Sequence, residues 1–261
     1  MQSIIEVPDD IKDFLVISDC SDFAEDRYML TPELKQIAKD IVETRKLTAE
    51  MRKMNLDYLN ATLLYGPPGT GKTKFAKYLA YKLKMDFAFL NLANLVDGIM
   101  GSTSRNITKV FDFIRDKKCI FMLDELDCIA VQRGNESAAT GGEMSRITIT
   151  IMQQLDRYKE SKVDCIILAA TNRIEQVDTA LQSRFAIKRQ MIPWSNEMKE
   201  KYISKFLRSL AIDITDESIH EYVVKNSRCQ QREIEADMTR CIVEWIKNGR
   251  KDYRLEHIRI K

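Results

Sequence analysis

The sequence predicts an α/β domain, a parallel sheet covered by helices on both faces, followed by a small all-helical domain. Three observations carry this. Four short, nearly continuous apolar runs occur between Ala61 and Ala170, as expected of strands buried on both faces, and one more strand-like stretch follows at about Ala186–Ile192. Stretches with apolar residues every three or four positions separate most of them, and alternation of this kind implies right-handed crossovers and a parallel sheet. Beyond Pro193 the strand-like runs stop and only helical periodicity continues.

Taken in order, residues 1–30 form an acidic extension (Glu6, Asp9, Asp10, Asp13, Asp19, Asp22, Glu25, Asp26) with room for one short strand. Thr31-Pro32-Glu33 reads as a helix start, since threonine can cap and proline is tolerated in the first turn. Leu34, Ile37, Ala38, Ile41 and Val42 then form one apolar stripe. Ala61-Thr62-Leu63-Leu64-Tyr65 is the first strand of the sheet domain, and Phe75, Leu79 and Leu83 mark the helix after it. Phe87–Leu90 is the second strand, and Ser102–Asp116 is helical through Ile107, Val110, Phe111 and Ile114. Cys119–Leu123 is the third strand. The glycine-bearing stretch Gln132–Gly142 reads as a mobile loop and Glu143–Tyr158 as the next helix. Asp164–Ala170 and about Ala186–Ile192 complete the five strands. The predicted boundaries are therefore 1–30 for the extension, 31–192 for the sheet domain and 193–261 for the helical one. In the last, Tyr202, Phe206 and Leu210, then Ile219, Tyr222 and Val223, then Ile234, Met238, Cys241, Ile242 and Trp245 supply the apolar faces.

Composition narrows the function classes. Among 261 residues the net charge is +2 with 31% charged side chains, an ordinary balance that makes no bulk case for nucleic acid or membrane. No apolar run approaches the roughly 20 residues of a membrane span, and the acidic start lacks the basic and apolar regions of a signal peptide. Six cysteines without C-x-x-C spacing fit a reduced, cytoplasmic compartment, and two distant histidines, His220 and His257, make zinc or histidine-based catalysis a poor match.

The chemistry centres on Gly66-Pro67-Pro68-Gly69-Thr70-Gly71-Lys72-Thr73, which lies between a predicted strand and a predicted helix start. Glycines let the backbone curl so that successive N–H groups point at phosphate oxygens, and the helix dipole adds to the same anion. Lys72 then reaches the β- and γ-phosphates, and the Thr73 hydroxyl can hold Mg²⁺. The alternative, a Gly/Pro turn that happens to carry a lysine, does not explain why both flanks are right. Asp124 and Glu125 follow an unbroken apolar strand and so emerge at its carboxyl end, where ligands of parallel sheets bind. Asp124 is the candidate for the outer shell of Mg²⁺, and Glu125 for orienting and polarising the attacking water. These residues imply a nucleoside triphosphate and Mg²⁺ as ligands.

With those motifs in place, the chain resembles the AAA+ ATPases. The likeness rests on Gly66–Thr73, on Phe121-Met122-Leu123-Asp124-Glu125-Leu126-Asp127, on Ala170-Thr171-Asn172-Arg173 and on Ala180-Leu181-Gln182-Ser183-Arg184-Phe185, in the family's order, and covers about Pro32–Asn248. The first three are most similar to the protein-remodelling subgroup that includes spastin and katanin. The resemblance implies a three-layer αβα P-loop NTPase domain with a central five-stranded parallel sheet, then a small helical lid domain. It implies Asn172 as a first sensor holding water or γ-phosphate, and Arg184 as an arginine finger inserted into a neighbouring subunit's ATP. It also implies a homo-oligomer, a ring or helix of six subunits.

Two further features stay open. Gln231-Arg232-Glu233-Ile234-Glu235 is similar to the second-sensor helix of replication initiators, so Arg232 could reach the γ-phosphate from the lid; spastin-like relatives usually lack that arginine, and a solvated helix arginine is the alternative. Ile99-Met100-Gly101 stands where protein-threading relatives carry an aromatic residue before glycine, and is read either as an aliphatic grip or as an ordinary turn. The leading function is a Mg²⁺-dependent oligomeric ATPase that remodels a separate protein partner or effector. A DNA-associated helper, a clamp loader or a replication or transposition ATPase, competes, drawing on the Gln-Ser-Arg context of Arg184, on Arg232 and on the basic end Lys247, Arg250, Lys251, Arg254, Arg259 and Lys261. That basic run reads more readily as a solvated face.

Overall fold

A computed structural model of the chain describes residues 5–96, 102–129, 138–160, 163, 165–251 and 253–256. It divides into two compact units: residues 1–23, 32–66 and 72–190, and residues 24–31, 67–71 and 191–261.

The first unit is built on a six-stranded sheet of β1 (Leu15–Ser18), β2 (Ala61–Tyr65), β3 (Asp86–Asn91), β4 (Cys119–Asp124), β5 (Ile166–Thr171) and β6 (Ile187–Gln190), in the order β1-β3-β4-β5-β2-β6. All five predicted parallel strands are present and parallel to one another. The short strand of the acidic extension, β1, adds a sixth by pairing antiparallel with β3, Leu15 opposite Leu90. Its helices are α1 (Pro32–Lys53), α2 (Lys72–Leu83), α3 (Leu92–Val96), α4 (Thr103–Ile114), α5 (Ala138–Glu160) and α6 (Thr179–Gln182). The predicted loop Gln132–Gly142 divides: 132–137 lie outside the described residues, as do Ile99, Met100 and Gly101, whereas 138–142 already belong to α5. Ala138 and Ala139 are strong helix formers, and joining a long helix outweighs the roughly 1 kcal/mol that each of Gly141 and Gly142 costs.

Both faces of the central strands are covered, which is why they read as unbroken apolar runs. In β4, Cys119, Phe121 and Leu123 join Ile107, Val110, Phe111 and Ile114 of α4 and Ile147, Ile151, Leu155 and Tyr158 of α5 in one core. The alternate residues Ile120 and Met122 are equally buried, and α2 packs on the strand with Phe75 and Leu79 enclosed. At the far edge, β6 exposes Lys188, Arg189 and Gln190, charge and polarity that discourage pairing with another chain.

The second unit contains α7 (Asn196–Ser209), α8 (Asp216–Lys225) and α9 (Gln231–Lys247). Ser195 and Thr215 cap α7 and α8 through hydrogen bonds from Met198 N and Ser218 N. Trp194, Tyr202, Ile203, Leu207, Ile219, Tyr222, Val223, Ile234 and Met238 form its core. The buried Asp237 carboxylate accepts the Tyr222 hydroxyl at 2.6 Å and pairs with Arg240. All six cysteines are free thiols.

Phe111 packs edge-on against Phe121 and Tyr158, with ring centroids 5.2 and 5.3 Å away. Phe111→Ala is expected to lower unfolding free energy by about 3–5 kcal/mol in urea titrations followed by circular dichroism. A loss below about 1 kcal/mol would mean that this core collapses into the cavity instead.

Candidate functional site

The register of the parallel strands brings three strand ends to one edge of the first unit. Tyr65 of β2 lies opposite Thr171 of β5, and Leu123 of β4 opposite Ala169, so β2, β4 and β5 end almost level. Gly66 extends the ladder by one bond, its N–H donating to the Thr171 carbonyl at 3.3 Å. The residues that follow these strand ends, or open the helix after β2, are those the sequence singles out.

Lys72 opens α2 and is almost fully buried, at 8% exposure. Its Nζ donates to the Gly66 carbonyl at 2.8 Å and to Asn172 Oδ1 at 2.8 Å. Burial pushes its pKa below the ordinary lysine value, and the nearby carboxylates of Asp124 and Asp127 pull it back. An anionic ligand at this ammonium would reinforce the carboxylates and hold the charged form. One residue on, the Thr73 hydroxyl donates to Asp124 Oδ2 at 2.8 Å, while Asp124 Oδ1 accepts the Glu125 N–H at 2.9 Å. A hydroxyl beside a single carboxylate is an oxygen-only donor set. It suits a small hard cation that keeps several waters and takes its other ligands from phosphate, so Thr73 and Asp124 fit Mg²⁺.

Glu125 has a φ of +60°. The other described non-glycine residues with positive φ, Asn55, Lys84, Ala211 and Arg250, each follow a helix end, where a left-handed residue closes the last turn. Glu125 follows a strand, so helix capping does not account for its backbone. A non-glycine residue held there costs on the order of 1–3 kcal/mol and persists where its surroundings over-determine it. Here the bond to Asp124 on one side and the Cys128 N–H donating to the Glu125 carbonyl at 2.9 Å on the other hold the turn.

Asn172 is the first residue beyond β5. Asp127, in the short 3-10 turn Leu126–Ile129, accepts the Thr171 hydroxyl at 2.8 Å and the Asn172 N–H at 3.1 Å, both on Oδ1. In the sequence Asp127 stands out only as part of a motif. A carboxylate three residues after Asp124 is the available signal, but its partner on β5 is invisible without the strand register.

Arg184, just beyond α6, stands apart from this constellation. Its Nε and Nη2 donate to the Asp156 carboxylate at 3.3 and 3.2 Å, and Nη1 to the Ala180 carbonyl at 2.9 Å. Together with Tyr58, Leu155 and Lys159 it lines a cavity of about 380 Å³. Asp156 is a second residue that the sequence did not single out.

In the second unit, Thr70 is buried and donates its hydroxyl to the Pro67 carbonyl at 2.9 Å. Gly69 and Gly71 have φ of +79° and +88°. A β-carbon at Gly69 would stand 3.1 Å from Gln230 Cβ and 3.6 Å from Arg232 Cβ, and one at Gly71 2.9 Å from Gln231 Oε1. Backbone conformation demands both glycines, and at Gly69 the close approach of Gln230 Cβ at the start of α9 adds a second reason. This places Arg232 beside Gly69, and it places Gln231, 7% exposed and donating to Glu235 at 3.1 Å, beside Gly71. The two segments are about 160 residues apart, and the likeness of Gln231–Glu235 to a second-sensor helix is the sequence signal that relates them.

Residues 62–192 match the model of the ATPase family associated with various cellular activities. The chain is 31% identical over 199 residues to the peroxisomal ATPase PEX6 of Dictyostelium discoideum, covering 74% of this chain and 16% of that protein. It is 33% identical over 151 residues to pex6 of Schizosaccharomyces pombe, covering 57% of this chain and 16% of that protein. It is 34% identical over 149 residues to a 26S proteasome regulatory subunit 6B homolog of Encephalitozoon cuniculi, covering 56% of this chain and 38% of that protein. The chain thus spans well under half the length of these relatives. Strand-end carboxylates, a buried lysine and a glycine loop, set in a sequence that matches over half its length, establish that this chain belongs to the AAA ATPase family.

Proposed function

We propose that Gly66–Thr73 binds ATP with Mg²⁺ and that the chain hydrolyses it as one subunit of a homo-oligomer, a ring or helix of about six. The observation that carries this reading is the double pairing of Lys72 with Asn172 and of Thr73 with Asp124 at level strand ends. It brings a cation, a polar amide, a hydroxyl and a carboxylate to the edge where parallel sheets bind ligands. Residues 31–192 act as the hydrolysing domain and 193–261 as a lid, with Arg232 at the start of α9 as its candidate second sensor.

Each side chain has a defined task. Lys72 exchanges its protein acceptors for β- and γ-phosphate oxygens. Thr73 and Asp124 hold Mg²⁺, which when bound offsets phosphate charge. Glu125, re-aimed by its left-handed backbone, orients the attacking water, and Asn172 holds that water or the γ-phosphate. Arg184 enters the neighbouring subunit's site, a contribution of about 10³–10⁵ in rate in proteins that use such a finger. The hydrolytic cycle remodels a separate protein in the cytoplasm. The similarity to proteasomal and peroxisomal ATPases supports a protein partner over nucleic acid.

Lys72→Ala is expected to lose nucleotide binding, and Glu125→Gln to bind ATP normally while turning over at least about 100-fold more slowly, as read by equilibrium binding and phosphate release. Normal hydrolysis by Glu125→Gln would remove that residue from its assigned role. Arg184→Ala subunits mixed with Lys72→Ala subunits should regain activity that neither has alone, because some boundaries then contain one intact site and one intact finger. A mixture that co-assembles in light scattering and stays inert at every ratio speaks against a finger acting between subunits. Across a salt series, added single- or double-stranded DNA should leave the rate unchanged; strong stimulation with a steep salt slope would favour the DNA-associated alternative.

A further inference from the structure

The contact of Asp127 with the first residues beyond β5 has a consequence for hydrolysis. The β2–β5 ladder ends at Tyr65 opposite Thr171, so Asn172 has left the pairing that fixes the strand before it. Its side chain is exposed, yet its Oδ1 accepts the Lys72 ammonium at 2.8 Å. An exposed side chain beyond a strand end holds such an aim only if its backbone is fixed by something else. That something is one oxygen. Asp127 Oδ1 takes the Asn172 N–H and the Thr171 hydroxyl together, and the Thr171 oxygen in turn accepts the Arg173 N–H at 3.0 Å. Three successive residues, 171 to 173, are thus tied to a single carboxylate. The carboxylate is itself well anchored, because Leu126 and Ile129 on either side of it are buried in the sheet core.

We propose that Asp127 is a positioning residue for hydrolysis, which fixes the backbone of Asn172 and so aims its carboxamide at Lys72 and the γ-phosphate. The proposal rests on the ATPase reading above. Asp127 itself touches neither phosphate nor water; it acts through Asn172. Holding Asn172 requires an acceptor oxygen at this place; the charge of Asp127, which supports Lys72 less than that of Asp124 does, is no part of that role. Asparagine retains the oxygen, whereas leucine, similar in size, removes it.

The experiment compares the full chain with Asp127→Asn, Asp127→Leu, Asn172→Ala and the double variant Asp127→Leu/Asn172→Ala. Steady-state hydrolysis reports kcat and KM, and the ratio of ATP to ADP affinity is measured in a Glu125→Gln background, where no turnover interferes. Asp127→Leu should lower kcat at least about tenfold with ADP affinity within about threefold of the parent, and should reduce the preference for ATP over ADP. Asp127→Asn should recover kcat to within about threefold. The double variant should be no slower than Asn172→Ala alone, because the two residues act as one unit.

A merely structural carboxylate would instead depress ATP and ADP binding together and add its effect to that of Asn172→Ala. Either result overturns the proposal, as does an unchanged kcat in Asp127→Leu. Should the leucine variant fail to fold, Thr171→Val, which removes one of the two donors to Oδ1, takes its place. It is expected to lower kcat with ADP affinity retained, and an unaltered kcat there overturns the proposal equally. Loss of hydrolysis in Glu125→Gln with no effect of Asp127→Leu defeats this proposal and leaves the ATPase reading standing. A parent chain that hydrolyses no ATP defeats both.

Discussion

The ammonium of Lys72 sets the terms for the rest of this molecule. A lysine left with 8% of its surface in water cannot remain charged unless acceptors and counter-charges meet it at its tip. The Gly66 carbonyl and the Asn172 carboxamide supply the first, the carboxylates of Asp124 and Asp127 the second. Each sits at a strand end or in the turn just beyond one. Gly66 closes β2, Asn172 follows β5, and Asp124 ends β4 with Asp127 three residues on. The parallel register that makes β2, β4 and β5 end level is therefore what allows a lysine to be buried here. Burial of these strands on both faces holds that register.

A second constraint is local backbone strain. Glu125 spends a non-glycine residue on a left-handed backbone where no helix needs closing. Two flanking hydrogen bonds and the buried Leu126 fix the turn. The same turn carries Asp127, so the four residues from the end of β4 hold three carboxylates. Asp124 points toward Thr73 and Asp127 toward the end of β5, while Glu125 between them holds a left-handed backbone. A regular continuation of the strand would have alternated these side chains across the sheet.

Much of this was legible in the sequence because the relevant information is local. The glycine spacing of Gly66–Thr73, its strand before and its helix after are contiguous, and so are the apolar run and acids of Cys119–Glu125. Elements defined by one periodicity, such as α4 with Ile107, Val110, Phe111 and Ile114, fall within two residues of their predicted ends. Where local signals conflicted the reading was less sharp. The glycines at 141 and 142 suggested a loop, and the helix that α5 builds from Ala138 absorbed them.

By itself, the sequence determined the α/β class, the five parallel strands, the helical run after Pro193 and the identity of the loop and strand-end residues. These follow from period, spacing and residue type within short windows. Tertiary structure alone decided that Leu15–Ser18 closes the sheet edge antiparallel, that Asp127 holds the end of β5, that Arg184 lies on Asp156, and that α9 begins against Gly69 and Gly71. Those pairings join segments from 28 to about 160 residues apart. Their partners are chosen by the register of strands and the packing of helices, quantities that no short window of residues contains.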